Sequence, residues 1–147
     1  MMIFREATHA DIPAMSEIRL LVKENVLSNP GRITRQMYED YLGPLGKGWV
    51  CELDGTVVGF SYAACEDHSI WALFIHPDHE GNGIGSQLLK LATDWLFERG
   101  ASRVILSTEV NTRADRFYAA QGWHRGDIKG EFPEVVYTLE RPAQVTR

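Results

Sequence analysis

The sequence is short of cysteine, of long apolar runs and of positive charge, and each shortage removes a class of function. Its two cysteines, Cys51 and Cys65, form no CxxC pair and have no histidine at metal-ligand spacing. Neither a disulfide-stapled scaffold nor a zinc ribbon has the residues it needs. Both thiols fall in apolar stretches that read as strands, and each is expected to pack as a small core residue. No run approaches the ~20 apolar residues of a membrane span, and residues 1–6 lack the apolar length of a signal peptide. The expectation is a chain in a reducing cytoplasm, with no membrane partner. Fifteen Lys and Arg stand against twenty Asp and Glu, a formal charge of −5. That field does not favour nucleic acid and leans only slightly toward cationic partners; its chief effect is solubility. Repeats and low-complexity segments are absent as well.

What is present is ordinary globular usage, 44% hydrophobic and 24% charged over 147 residues. This suits a single domain spanning 1–147 with a sizeable core, residues 141–147 reading as a loose tail. Residues 3–7 read as an opening strand. Thr8 and Pro13 then start a helix carrying Ile12, Met15, Ile18, Leu21 and Val22 at helical spacing. Ser28-Asn29-Pro30-Gly31 breaks it. A short second helix begins at Thr34, whose hydroxyl can cap it, and runs through Met37, Tyr38, Tyr41 and Leu42 to Gly43-Pro44. Residues 49–53 and 56–63 flank Asp54-Gly55, a tight hairpin turn. With the apolar run 69–75 they make an antiparallel meander. Residues 84–99 carry a broad apolar stripe and end at Gly100, and residues 103–108 read as a buried strand. A helix of that length between two strands implies a parallel crossover. A helix over about 112–121, closed by Gly122, and closing strands at 123–124 and 135–139 complete an α/β chain.

Between the meander and the long helix lies His76-Pro77-Asp78-His79-Glu80-Gly81-Asn82-Gly83-Ile84-Gly85-Ser86. Alternating glycines at a helix start let the backbone approach a ligand closely, and the unsatisfied N–H groups and the helix dipole there favour a phosphate or diphosphate. A Walker loop requires Lys and Ser or Thr after its last glycine, and Gly85 is followed by Ser86-Gln87. A dinucleotide fingerprint requires G-x-G-x-x-G; Gly81, Gly83 and Gly85 are spaced differently, although Glu109 imitates its ribose-binding acid. His76 and His79 read as turn and surface residues, and no metal is expected.

The stretch from Leu73 through Leu89 resembles the central motif of the GCN5-related N-acetyltransferases, in which a strand, a Pro-containing turn and a [Q/R]-x-x-G-x-[G/A] loop precede a helix. Asn111-Thr112-Arg113-Ala114-Asp115-Arg116-Phe117-Tyr118-Ala119-Ala120-Gln121-Gly122-Trp123 is similar to that family's later N-x-x-A-x-x-F-Y-x-x-x-G-[F/W] segment. The likeness covers roughly residues 45–125. One position departs: Glu80 stands where the family usually has Gln or Arg. A carboxylate there repels a diphosphate unless it points away or meets a cation.

The resemblance implies a mixed central sheet of about six to seven strands flanked by about four helices, and acetyl-CoA as co-substrate. Gly81, Asn82, Gly83, Ile84, Gly85 and Ser86 would cradle the diphosphate. Leu73, Phe74 and Ile75 would pair with pantetheine through their backbone, one N–H holding the thioester oxyanion, and Asn111 would also touch the pantetheine arm. Read locally, Asn111 is a helix N-cap and Phe117-Tyr118 a core aromatic pair. By resemblance Tyr118 is the general acid that protonates the departing thiolate. A phenol with an ordinary pKa of about 10, above that of a thiol, does not waste its proton on a stronger base. The expected reaction is direct transfer of the acetyl group to a primary amine through a tetrahedral intermediate. The strand 69–75 contains no acid, so Glu109 is the first choice for general base, with Glu66, Asp67 and His68 as rivals. The acceptor, a small-molecule or peptide amine, would lie against the first two helices, the break at 28–31, Trp49 and Trp71. Relatives of this kind are often homodimers. The alternative reading is a non-catalytic acyl-CoA sensor that keeps the loop and transfers nothing.

Overall fold

The computed structural model of the chain describes residues 1–22, 34–129 and 134–142. The loop signal at 28–31 lies outside the described residues, as does the tail from 143 onward. Seven strands form one mixed sheet: β1 (Met2–Glu6), β2 (Gly46–Leu53), β3 (Thr56–Ala64), β4 (Ser69–Ile75), β5 (Arg103–Glu109), β6 (His124–Lys129) and β7 (Glu134–Glu140). Among the described residues four α-helices accompany them: α1 (Ile12–Leu21), α2 (Arg35–Asp40), α3 (Ile84–Glu98) and α4 (Arg113–Ala120). The spatial order is β1-β2-β3-β4-β5-β7-β6.

Local chemistry explains most boundaries. Asp54 and Gly55 both take left-handed φ, 50° and 86°, as the two-residue β2–β3 hairpin demands. The Thr34 hydroxyl accepts the Met37 amide at 3.2 Å and starts α2, which stops at Asp40 instead of reaching Gly43. Gly100 and Gly122, at φ 101° and 86°, follow the ends of α3 and α4.

The sheet consists of two antiparallel halves, β1 to β4 and β5-β7-β6, joined through a parallel contact between β4 and β5. That joint is minimal: Ser69 faces Ile105, and the Ile105 amide donates to the His68 carbonyl at 3.1 Å. Beyond it the strands separate into a wedge. A bulge helps to open it, because Tyr62 pairs with Ala72 and Ala63 with Ile70, leaving Trp71 as an extra residue that bends β4.

Each face of the sheet is covered. Leu88, Leu89, Ala92 and Leu96 of α3 bury one face against Cys51, Val58, Ala63 and Val104. Ile12, Met15, Ile18 and Tyr38 of α1 and α2 bury the other against Val50, Phe60, Tyr62 and Phe74. Each fully buried aliphatic side chain contributes about 1.5–3 kcal/mol, so these two layers hold the wedge in shape.

Three expectations need correction. Trp49 is 6% exposed and packs edge-on against Trp95 of α3 at 6.0 Å, which makes it core on the α3 side and not an acceptor wall. Cys65 lies beyond β3 and is only half-buried, because the strand ends at Ala64, before it. Arg141 is no loose residue: its amide donates to Ser102 at 2.9 Å, and its guanidinium donates to the carbonyls of Ala101 and Phe97.

Candidate active site

β4 runs directly into the glycine loop. After Ile75 the His76 amide donates to the Val58 carbonyl at 2.8 Å, and the His76 Nδ1 accepts the Asp78 amide at 3.1 Å, closing the turn at Pro77–His79. That hydrogen bond gives His76 a turn-capping role. Gly81 and Gly83 then adopt φ of 83° and 79°, and Gly83 is the N-cap of α3. A Cβ at either glycine would meet no heavy atom within 4 Å. Backbone conformation therefore demands glycine there, and the space in front is left open. The first amide bonded back along the helix is that of Gln87, to Gly83 at 3.2 Å. The amides of Ile84, Gly85 and Ser86 precede it at the positive end of a fifteen-residue helix.

These residues form one side of a cavity of about 590 Å³. Leu73, Phe74 and Ile75 of β4 form another side, Leu21 and Val22 a third, and Arg113, Ala114, Phe117 and Tyr118 of α4 a fourth. On β4 the His76 amide points at β3, and backbone direction alternates along a strand. Phe74 and Ala72 therefore spend their backbone groups on β3, while Leu73 and Ile75 turn theirs toward β5, into the unpaired wedge. Of the three strand residues expected to offer backbone, Leu73 and Ile75 do so; Phe74 contributes its ring.

α4 is fixed by a buried carboxylate. The Thr112 hydroxyl caps the helix by accepting the Asp115 amide at 3.2 Å, one residue later than the cap expected at Asn111. Asn111 instead takes a left-handed φ of 62° and donates its amide to Asp115 Oδ2 at 2.9 Å. Asp115 also receives two hydrogen bonds of 3.1 Å from the Arg125 guanidinium and one of 2.6 Å from the Tyr137 hydroxyl. Arg125 foremost, and these hydrogen bonds with it, hold the Asp115 carboxyl well below the usual carboxylate range despite its burial.

Three residues on, the same helical face presents Tyr118. Its ring is 6% exposed and touches Phe117, Trp123 and Tyr137, with centroids 5.3, 6.0 and 5.7 Å away. Burial pushes the phenol well above its ordinary pKa, so it keeps its proton across the neutral range. Its hydroxyl makes no hydrogen bond among the described residues, and the residue lines the cavity.

The glycine loop, the free edge of β4 and Tyr118 thus line one space whose walls are mostly apolar. Comparison with known proteins agrees with this geometry. Residues 13–123 match the acetyltransferase (GNAT) family. The chain belongs to that family.

Among relatives, an uncharacterised N-acetyltransferase of Archaeoglobus fulgidus is 34% identical over 97 residues, 58% of this chain and 65% of that protein. The thialysine N-epsilon-acetyltransferase of Bos taurus is 29% identical over 84 residues, 49% of each chain. The matched segment thus spans about two thirds or less of these relatives' length. Among solved structures, yncA of Salmonella typhimurium, determined with its cofactor acetyl-CoA, superposes with a TM-score of 0.80 at 18% identity, covering 99% of this chain and 96% of that one. The ribosomal-protein-S18-alanine N-acetyltransferase of Escherichia coli gives 0.78 at 18% identity, covering 95% and 94%. At such identities these two establish the fold: the seven-stranded mixed sheet with four helices is the GNAT fold.

Glu80, the position that departs from the GNAT pattern, meets a cation. Its carboxylate lies 3.1 Å from the Arg113 guanidinium, at the α4 side of the cradle. The pairing joins two motifs far apart in sequence, and only the charge mismatch at Glu80 signals it in advance. The remaining sequence candidates are scattered. Asn82 is exposed and donates to the His79 carbonyl at 3.3 Å, and neither it nor Asn111 lines the cavity. Glu109 ends β5 with its side chain exposed, also off the cavity, its carbonyl accepting the Thr112 hydroxyl at 2.8 Å. Glu66, Asp67 and His68 sit at the other end of β4; at about 3.3 Å per residue, even His68 is some 16 Å of strand from Leu73.

Sequence reasoning passed over Asp115. Thr112-Arg113-Ala114-Asp115 has the spacing of a capping box, and that signal could have singled it out.

Proposed function

We propose that this protein transfers the acetyl group of acetyl-CoA directly to a primary amine. One observation carries the reading: the unbonded amides at the head of α3, the unpaired edge of β4 and the Tyr118 hydroxyl share one cavity. Ile84, Gly85 and Ser86 would hold the diphosphate through their amides, and Arg113 would add positive charge beside it. Leu73 and Ile75 would pair with the pantetheine amides, and an N–H of this edge would stabilise the oxygen of the thioester carbonyl as an amine attacks it. Tyr118, protonated and without a protein partner among the described residues, would pass its proton to the departing thiolate. Coenzyme A supplies the activated acyl group; the chain supplies orientation, an oxyanion donor and a proton.

Proton removal from the amine would fall to Glu109 acting through water, since it closes the strand opposite β4 across the wedge. That it is not among the cavity's lining residues favours a second reading, a sensor that binds acyl-CoA without transfer. Titration with acetyl-CoA, followed by an amine panel read as free thiol, tests both. Binding with turnover on at least one amine supports the transferase, binding without turnover on any amine supports the sensor, and no binding refutes both.

A further inference from the structure

Arg19 of α1 is the one described residue with buried side-chain nitrogens that have no hydrogen-bond partner. Its Nε and Nη1 are both shielded from solvent and unbonded. Other arginines that bond into the fold are matched: Arg5 by Asp11 and Glu52, Arg125 by Asp115, and Arg141 by the carbonyls of Phe97 and Ala101. The Arg19 guanidinium instead lies over aromatic rings, its central carbon 5.3 Å from the centroid of Phe74 and 5.9 Å from that of Trp71. Ring faces attract a cation but accept no N–H in its plane, so they recover only part of what burying the charge costs. Two N–H groups left this way on a half-buried guanidinium can take up an anion from elsewhere.

Its position says where that anion arrives. Arg19 itself is not on the cavity lining, but Phe74, against which its guanidinium rests, is, and so are Leu21 and Val22, which follow Arg19 at the end of α1. Trp71 is stacked by Tyr41 at 4.5 Å, extending an aromatic wall along the α1–α2 side of the sheet. This side lies opposite the face that α3 covers, so on the transferase reading an acceptor would enter here while a coenzyme occupied the glycine loop. One fork of N–H donors matches one planar monoanion.

We infer that the acetylated amine carries a carboxylate, and that Arg19 is the specificity-determining residue that binds it. The acceptor is thus an amino acid or a similar small amine with a free carboxyl group. This rests on the transferase reading above, and the experiment separates the two.

Free amino acids and their matched primary amides serve as acceptors with saturating acetyl-CoA, in the native protein and in Arg19→Gln and Arg19→Met, the latter keeping an unbranched stem against Phe74 and Trp71. A charge-assisted pair corresponds to a preference for the acid of about tenfold to a hundredfold in kcat/KM. That preference should collapse to near one in both variants, through a raised KM for the acids alone. KM for the amides and the affinity for coenzyme should not move. Alongside, calorimetry of N-acetyl amino acids and their amides on CoA-loaded protein reads the same discrimination without turnover. Arg19→Lys should restore part of it. Equal use or binding of acid and amide by the native protein overturns the inference while leaving the transferase reading intact, and so does a preference that survives in both variants. Absence of coenzyme binding overturns both together.

Discussion

Replacing Tyr118 by Phe separates catalysis from stability in a way the structure makes quantitative. The hydroxyl has no hydrogen-bond partner among the described residues, while the ring rests against Phe117, Trp123 and Tyr137. Phe keeps those ring contacts and strands no donor or acceptor, so unfolding free energy should change by less than about 1 kcal/mol. If the hydroxyl is the proton donor, turnover should fall roughly 10²-fold or more, about 2.7 kcal/mol of barrier, with coenzyme affinity little changed. Tyr137→Phe is the mirror case. Tyr137 is fully buried, and its hydroxyl donates to Asp115, 2.6 Å from Oδ1 and 2.8 Å from the carbonyl oxygen. Its loss should cost about 1–3 kcal/mol of stability. Chemical denaturation and steady-state thiol release, measured on both variants, give four numbers. A Tyr118→Phe protein with native turnover removes Tyr118 from the acid role. One that is strongly destabilised shows that the hydroxyl is held by the protein and not presented to the cavity.

Gly83→Val should abolish measurable coenzyme binding in calorimetry: φ 79° costs a β-branched residue about 1–3 kcal/mol, and its side chain would enter the open space before the α3 amides. Native affinity there would refute the cradle. Glu80→Gln should tighten coenzyme binding several-fold, whereas Arg113→Ala, leaving Glu80 uncompensated, should weaken it roughly tenfold; both effects should shrink in high salt, and effects of the same sign would refute their opposition. Stability should decline at both pH extremes. Asp11, held down chiefly by Arg5, and Asp115, held down chiefly by Arg125, have folded pKa values below their unfolded ones. Their contribution is full above about pH 4 and is lost as pH falls further. Tyr62, Tyr118 and Tyr137 are raised, chiefly by burial. Their contribution is present below about pH 10 and is lost as pH rises beyond it. Thermal melts across pH 2–12 that stay flat at the alkaline end would contradict that burial.

Short-range features were legible in the residues. The Asp54-Gly55 hairpin, the Thr34 cap, the bounds of β4, the stripe of α3 and the glycine-rich start of that helix depend on a few neighbouring positions. A turn or a helix start is decided by which dihedrals its own residues tolerate, so chain order alone carries that information. Features defined by approach of distant segments were not. Trp49 faces α3 because of its place in the pleat of β2, and nothing beside it in sequence distinguishes the two sheet faces. Glu109 read as a base from its place at a strand end, yet it is not among the residues that line the cavity.

What the sequence determined on its own was a glycine-rich start to the long helix with its first amides left over, since that depends on backbone conformation and helix geometry alone. Tertiary structure decided what surrounds it. The wedge exists because β4 and β5 meet at a single pair, and Glu80 is neutralised because α4 brings Arg113 to it. Two buried nitrogens of Arg19 are left without a hydrogen-bond partner among the described residues where α1 lays it on Phe74. Charge compensation and strand separation depend on distances through space, and those are set only when the two faces of the sheet are packed.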